Sequence, residues 1–496
     1  VRLRITPFAF AAVLLATAER SLAEPLRHLF LDPSFIQQTE NVTLQINPPQ
    51  RRETVIRADQ PWEKLMISFF LTVREEEGKL RMWYICRDSE NQPNLAYAES
   101  ADGIAWVKPK LGIVNYHGST DNNLVGMPGV EGVVFQDPNA RTPEEKYVYV
   151  TRLKRGAIFR YFSPDGLRWQ RDAQPFLSVS SDTQNVTFWD ENLGRYVLYL
   201  RGRTQKPGSE IEWRTVTRAT TDDLTKPLPI DLPKEAKARQ ALNRGGGGLP
   251  IVLEADPADP AESDVYNISA QPYPLDRRWY VGFPSFFQRL TNPANQSATN
   301  YGKVEVQFVG SVDGIRWERY DREPYAAPGL AGTENANVVF MGTGLVVRGD
   351  EIWQYGTGFH SHHGDVAARK EKTDGVIQRY VQRVDGFVSL TFAAAGSCVT
   401  APLKVDGRTL RLNVDTGVLG SLRVALQDVG GQPLAGFDAE QCDVLRTNST
   451  RAIVSWKGRN DLSSLHGQNV RVAFAGSRAK LYSLYFESSA TDAPER

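Results

Sequence analysis

Cysteine, histidine and methionine are scarce in this chain, whose 496 residues include three Cys, six His and four Met. So few thiols exclude a disulfide-dependent scaffold, and their spacing matches no zinc site. Net charge is also lacking, because 58 Lys and Arg balance 58 Asp and Glu. No basic run interleaves with aromatics, so nucleic acid is not an expected partner and a neutral substrate suits the chain better. Sustained 3.6-residue apolar periodicity is missing outside the first residues, which disfavours a helical or Rossmann domain. No later segment approaches the roughly 20 apolar residues of a membrane helix. The start of the chain differs. Arg2 and Arg4, the apolar Phe8 to Ala18 and the small residues of Ser21-Leu22-Ala23 predict a secretory signal over 1–23. The mature chain then begins at Glu24 in a secreted or periplasmic protein free of the membrane, with an uncleaved anchor as the alternative. In that compartment Cys398 and Cys442 either bridge or stay free, while Cys86 reads as a buried thiol.

Aromatics and glycine are plentiful: 22 Phe, 18 Tyr, 10 Trp and 40 Gly. Material for burial is ample, and the length predicts two or three domains. The most informative pattern is Ser-x-Asp-Gly-x-x-Trp, which recurs as Ser100 to Trp106, Ser163 to Trp169 and Ser311 to Trp317. Each copy follows one alternating strand and opens another. Asp-Gly supplies the positive-φ turn of a hairpin, Ser and Asp reach backbone N–H groups, and Trp covers the apolar face. Hairpins repeated at this interval predict a β-propeller. Asp102, Asp165 and Asp313 are therefore turn residues rather than catalysts.

Outward from the motifs, a four-strand unit can be laid down five times between residues 62 and 390. The third unit is expected to end in a weaker strand near Leu228 to Leu232, with a decayed turn at Asp222. The fifth ends at Phe387 to Leu390 behind the turn Val384-Asp385-Gly386. Residues 24–61 wrap the propeller or close its ring. Gly245 to Gly248 lie in a solvated excursion, since no Gly-Lys-Ser/Thr and helix follow as a phosphate loop needs. From 391 to 496 the pattern becomes that of an independent β-sandwich, either a carbohydrate binder or a stabilising flank. The expected class is all-β, a five-bladed propeller followed by a C-terminal sandwich.

In a propeller the innermost strands line the axial channel, so polar groups on them converge. The candidate carboxylates are Glu63, Asp137, Asp182, Asp264 and Glu334. Gln184, Asn185, Tyr266, Asn267 and Asn337 are candidates to hold sugar hydroxyls. Glycosidic cleavage needs one protonated carboxyl and one ionised, held apart in pKa by their surroundings. Each Asp has an ordinary alternative as a strand terminator or turn acceptor. His360, His362 and His363 form the one histidine cluster, read as an exposed loop, a sugar contact or, least of all, a metal site. No cofactor is implied, although an axial calcium among the acids stays open. Tyr273, Phe286 and Phe287 join Tyr266 as aromatics that could stack on sugars or serve the core.

This layout resembles the five-bladed propeller glycoside hydrolases of the invertase, levanase and arabinanase superfamily, with a C-terminal sandwich as in the invertase branch. Phe135-Gln136-Asp137-Pro138 is similar to that branch's Arg-Asp-Pro segment, which implies a substrate-positioning role for Asp137. The chain departs from the pattern at Trp62-Glu63-Lys64-Leu65, where Trp-x-Asn-Asp-Pro-Asn-Gly would stand, and it lacks the Glu-Cys pair. Glu63 is then the blade-one acid or that acid is missing, and the general acid does not carry over. The repeated motif also resembles the Asp-box of sialidases, which mark blades rather than activity; a sialidase would need three arginines, for which Arg152, Arg201 and Arg203 are candidates, and a Tyr/Glu pair. The resemblance implies a secreted glycoside hydrolase acting on a neutral oligo- or polysaccharide; among the axial carboxylates themselves, Asp182 or Glu63 is expected as base or nucleophile and Glu334 as acid. A glycan-binding propeller without turnover competes with it. A basic pocket at Arg152, Arg201 and Arg203 would instead suit a lyase or a sulfated-glycan enzyme.

Overall fold

The computed structural model describes residues 26–153, 156–178, 181–205, 212–230, 249–296 and 298–488. The expected signal at 1–23 and the Gly245 to Gly248 excursion lie outside these residues. The chain is all-β: Val366–Glu371 is the single α-helix among the described residues, and none is long and apolar enough to cross a membrane.

The propeller is built from successive antiparallel units, each made by neighbouring segments of sequence. Met66–Glu76, Lys79–Arg87 and Pro93–Ser100 form the first, with Val107 bridging Glu99 at its outer edge. Val134–Gln136, Tyr147–Arg152, Ile158–Ser163 and Gln170–Arg171 form the second. Val186–Asp190, Arg195–Gln205, Glu212–Thr221 and Ile251–Leu253 form the third. Its outer strand is thus Ile251–Leu253 and not the Leu228 to Leu232 segment expected from the sequence; Leu228 instead bonds Phe176. Ser263–Pro272, Tyr280–Arg289 and the broken strand Gly302–Val306 with Val309–Ser311 form the fourth. Val338–Met341, Glu351–Phe359 and Val376–Arg383 form the next, joined to the fourth by one parallel pairing at Val304 and Val338. Parallel bridges from Met66 to Asp374 and from Thr72 to Thr343 bring this last unit back against the first.

Closure of the ring is non-local. Gln50–Arg57, from near the N-terminus, pairs with Val376–Arg383 as the outer strand of the last unit. Of the Phe387 to Leu390 segment expected in that place, Phe387 lies in a turn and Val388 to Leu390 open the long strand Val388–Thr400 of the C-terminal sheet, which pairs with Ile36–Ile46. The N-terminal segment therefore belongs to both bodies of the molecule. The C-terminal core gathers Phe30, Leu412, Val424, Trp456, Phe474 and Leu481. Cys398 and Cys442 lie in that same core as free buried thiols, so the bridge considered between them is absent, and Cys86 is buried as expected.

The three turn motifs form one structure. In the second unit the Ser163 hydroxyl accepts from Gly166 N at 2.9 Å, and Asp165 Oδ1 accepts from Leu167 N and Arg168 N, both at 2.8 Å. Ser100 with Asp102, and Ser311 with Asp313, repeat these bonds. The glycine carbonyl of each turn accepts a buried aromatic donor from the preceding unit: Tyr355 OH onto Gly103, Trp83 Nε1 onto Gly166 and Tyr199 OH onto Gly314. In the third unit Thr221 and Asp223 keep the Ser and Asp roles, so the conserved acid of that degenerate turn is Asp223 and not Asp222.

Candidate functional site

Antiparallel pairing fixes which residues can meet at the axis. Where an inner strand begins, the second strand of its unit ends, so both termini open on one face of the ring. That face holds a cavity of about 270 Å³. Its lining includes Leu65, Ser68 and Phe69 at the start of the first inner strand, Glu131 ahead of the second, Asp182 ahead of the third, and Tyr266 in the fourth. Arg87 and Arg152 come from the ends of second strands, while His363 and Arg369 descend from the segment after Glu351–Phe359. Gly364, at φ +81, lets that segment press against Asn300, whose carbonyl oxygen would be 2.2 Å from an added Cβ.

Two carboxylates face this cavity, and one guanidinium holds both. Arg152 grips Glu131 in a two-pronged contact through Nε and Nη2, and the same Nη2 reaches Asp182 Oδ1 at 2.6 Å. Their environments differ. Burial, aided by the charge of Asp182, raises the Glu131 pKa despite Arg152. For Asp182, about half exposed, burial is outweighed by Arg201, Arg152, Arg203 and Arg214, which hold its pKa down. Tyr266 lies beneath two cations, with the Arg201 and Arg214 guanidiniums 4.6 and 4.9 Å from its ring centroid. Burial pushes the Tyr266 hydroxyl up, and those arginines pull it back in part. Arg201 is buried, and desolvation with Arg214 and Arg203 nearby pushes its pKa down to about 10. His363 packs on Phe69, Tyr266 and Phe287 and is pushed down to about 3 by burial and by Arg214, Arg369 and Arg201. It is a neutral imidazole whose Nδ1 lies 3.0 Å from the Asn300 carbonyl oxygen.

Of the residues named from the sequence, the structure brings Asp182, Tyr266, Arg152 and His363 to this cavity. Asp137 sits at the far end of its inner strand, bonded to Tyr196 OH at 2.7 Å, in a separate cavity of about 580 Å³ on the opposite face. Glu63 is fully buried, accepting from Tyr84 OH at 2.6 Å and Lys108 Nζ at 2.8 Å, and closes a short helical turn. Asp264 is buried behind the site, where it accepts from Arg214 Nη1 at 3.1 Å and orients it. Glu334 pairs with Arg57 and Thr54 in a third cavity that also holds His360. Gln184 ties the inner strands together, donating to Leu71 O and accepting from Ser269 Oγ, each at 3.2 Å. Asn185 donates to the Glu131 carbonyl at 2.7 Å, and Asn337 to the His360 carbonyl at 2.6 Å. Asn267 is buried, with neither side-chain polar atom bonded among the described residues.

The histidines separate. His360 Nδ1 meets Asp374 at 2.6 Å and His362 Nδ1 meets Tyr301 OH at 2.9 Å, so neither lines the axial cavity. Tyr273, Phe286 and Phe287 are core residues. Among the described residues no three His, Cys, Asp or Glu side chains come together as a metal-ligating set. The sequence pointed to none of Glu131, Arg87 and Arg369. A signal for Arg87 exists: Arg87, Arg152, Arg201 and Arg289 each stand at or near the end of a second strand. Glu131 precedes its inner strand as Asp182 precedes the next, and Gly132 bridges Asn185.

No family model matches the chain, and no curated protein matches it in sequence. Solved structures do resemble it. A glycoside hydrolase is 13% identical at TM-score 0.45 over 68% of this chain and 92% of its own. A family 43 arabinoxylan arabinofuranohydrolase from Bacillus subtilis, in complex with cellotetraose, is 11% identical at TM-score 0.36 over 86% and 96%. A family 32 β-fructofuranosidase from Bombyx mori is 10% identical at TM-score 0.39 over 93% and 96%. At these identities the chemistry has to be argued from the site itself.

Proposed function

We propose that this propeller is a glycoside hydrolase, exported as its N-terminal residues suggest, with Glu131 and Asp182 as its acid and its nucleophile or base. The observation that carries this reading is the pair itself: two carboxylates on one guanidinium, one pushed up in pKa and the other held down. Opposed shifts are what divide two like groups into a proton donor and an ionised partner. Because one Arg152 nitrogen touches both, at 2.9 and 2.6 Å, their facing oxygens can be no further apart than the sum of those contacts. That limit on the nearest oxygens admits the roughly 5–5.5 Å carboxyl spacing of retaining enzymes. Asp182 would attack the anomeric carbon while Glu131 protonates the departing oxygen. Glu131, then ionised, would draw a proton from the water that releases the sugar. Tyr266 and His363 would form one wall against the sugar ring.

The test is release of reducing ends from a polysaccharide panel. Glu131→Gln and Asp182→Asn are expected to lower kcat by about a thousandfold or more in variants that keep the wild-type circular dichroism, while Asp137→Asn and Glu334→Gln stay near wild type. The rate should fall at low pH as Asp182 gains its proton and at high pH as Glu131 loses its own. Full activity in both axial variants would overturn the assignment. A second reading, binding without cleavage, draws on the two-pronged Arg152 grip on Glu131, which substrate would have to loosen; saturable glycan binding with no bond broken would favour it.

A further inference from the structure

The axial cavity holds more positive charge than its own acids can balance. Glu131 and Asp182 are both engaged by Arg152. Arg214 is answered by Asp264, and Arg203 has Glu212 at 3.9 Å. Arg369 is braced from behind by Ser361 Oγ at 3.1 Å and the His362 carbonyl at 3.0 Å, with Asp374 at 3.8 Å. Two cations remain. Among the described residues Arg87 bonds only Asn91, through Nη1 to its carbonyl at 3.1 Å and its side-chain oxygen at 3.3 Å, and it points at the cavity with no carboxylate in contact. Arg201 is 3% exposed, and its Nε and Nη2 have no partner among the described residues. A buried guanidinium whose donors are left unbonded is costly, so a site that retains one favours an anionic group there.

We propose that the sugar seated in this cavity carries an anionic group, a carboxylate or a sulfate ester, gripped by Arg87 and Arg369, with the charge of Arg201 behind Tyr266 favouring its entry. The planar fork of arginine matches either anion by paired N–H donation, which a neutral hydroxyl cannot reciprocate. Desolvation inside a small cavity strengthens that preference, and added salt weakens the steering. The inference deepens the hydrolase reading and rests on it for the identity of the ligand as a sugar. It also replaces the neutral substrate favoured by the overall charge balance: 58 charges of each sign fix the net charge, not their local distribution.

The experiment measures binding of glucuronate, galacturonate, N-acetylneuraminate and galactose 6-sulfate against glucose and galactose by calorimetry on the full chain, at low and at physiological salt. At least one anionic sugar should bind ten times or more tighter than the neutral sugars, weakening as salt rises, and which of the four binds separates carboxylate from sulfate. Arg87→Gln should erase that preference; Arg87 lies at the cavity edge, and unchanged thermal unfolding of the variant shows that the loss is local. Equal binding of neutral and anionic sugars, no anionic binding at any concentration reached, or a preference that survives Arg87→Gln overturns the inference. Turnover is scored separately. Anionic sugars that bind to a protein cleaving no glycan would sink the hydrolase reading alone, whereas cleavage of neutral polymers without anionic binding would sink this inference alone.

Discussion

At the scale of single residues, His363 shows how the axial wall couples to acidity. Its pKa of about 3 in the fold compares with 6.5 for a free histidine. The unfolded chain therefore takes up a proton below about pH 6.5 that the native state refuses until about pH 3. The stability contributed by neutral His363 is complete above pH 6.5 and is lost as the pH falls through that window, by up to about 1.4 kcal/mol per unit. His28, pushed down to about 4 by burial and Arg278, acts in the same direction. His363→Phe should thus narrow the difference in unfolding free energy between pH 7 and pH 5 by about 2 kcal/mol, measured by urea titration at each pH. An unchanged difference would mean that the ring is not held neutral by this wall. The residue scale is also where the sequence was least legible. Asp182 and Tyr266 were readable because they sit at or near the starts of inner strands. Asp137 falls outside the axial cavity because one short strand, Val134–Gln136, separates the axial face from the opposite one, and the stretch carries an acid at both ends. Glu63 and Asp264 fail for another reason: buried carboxylates answering Lys108 and Arg214 are indistinguishable in sequence from carboxylates awaiting substrate.

At the scale of elements, the turn motif does two jobs, and the glycines separate them. Gly78 and Gly314 both have positive φ, at +76° and +66°, so alanine at either suffers the left-handed strain of roughly 1–2 kcal/mol. Gly78 has open space around it, whereas a Cβ on Gly314 would stand 2.7 Å from Tyr199 OH, the group that links the third unit to the fourth. Gly314→Ala should therefore lower stability by about 1–3 kcal/mol more than Gly78→Ala, the cost of overpacking plus a strained hydrogen bond. Equal losses in chemical denaturation would show that the turn carries no contact between units. This is why the propeller was legible in the sequence. The motif records a local turn and, through its glycine and tryptophan, the neighbour against which the turn packs; Trp106 meets Tyr355 and Trp317 meets Tyr199 across unit boundaries. The outer strand of the last unit carries no such record. Gln50–Arg57 pairs with residues more than three hundred positions away, and no local pattern encodes a partner at that distance.

At the scale of the whole molecule, the propeller and the C-terminal sheet are joined through a buried carboxylate. Asp385 stands at φ +54 in the turn that leaves the last propeller strand, and its side chain is wholly buried. It accepts from Arg27 Nη1 at 2.7 Å, from Tyr273 OH at 2.6 Å and from Ser483 Oγ at 2.7 Å. One donor comes from the N-terminal segment, one from the propeller and one from the C-terminal sheet, so removing the acceptor orphans all three. Arg27 would be the most costly to orphan, because it would be left as a largely buried cation without its partner. Breaking such a pair typically costs about 3–5 kcal/mol, and here the loss falls on a contact shared by the two bodies. A nearby pair provides the comparison: Asp350 meets Arg451 at 2.8 Å and Thr450 at 2.6 Å, but both charged side chains are more than half exposed. Solvent-screened pairs of that kind are worth about 0–1 kcal/mol. Asp385→Ala should therefore lower the calorimetric midpoint and split a single transition into two, while Asp350→Ala leaves one transition almost unmoved. Indistinguishable traces from the two variants would mean that the bodies are coupled by the Ile36–Ile46 strand pairing alone, with Asp385 filling a turn and nothing more.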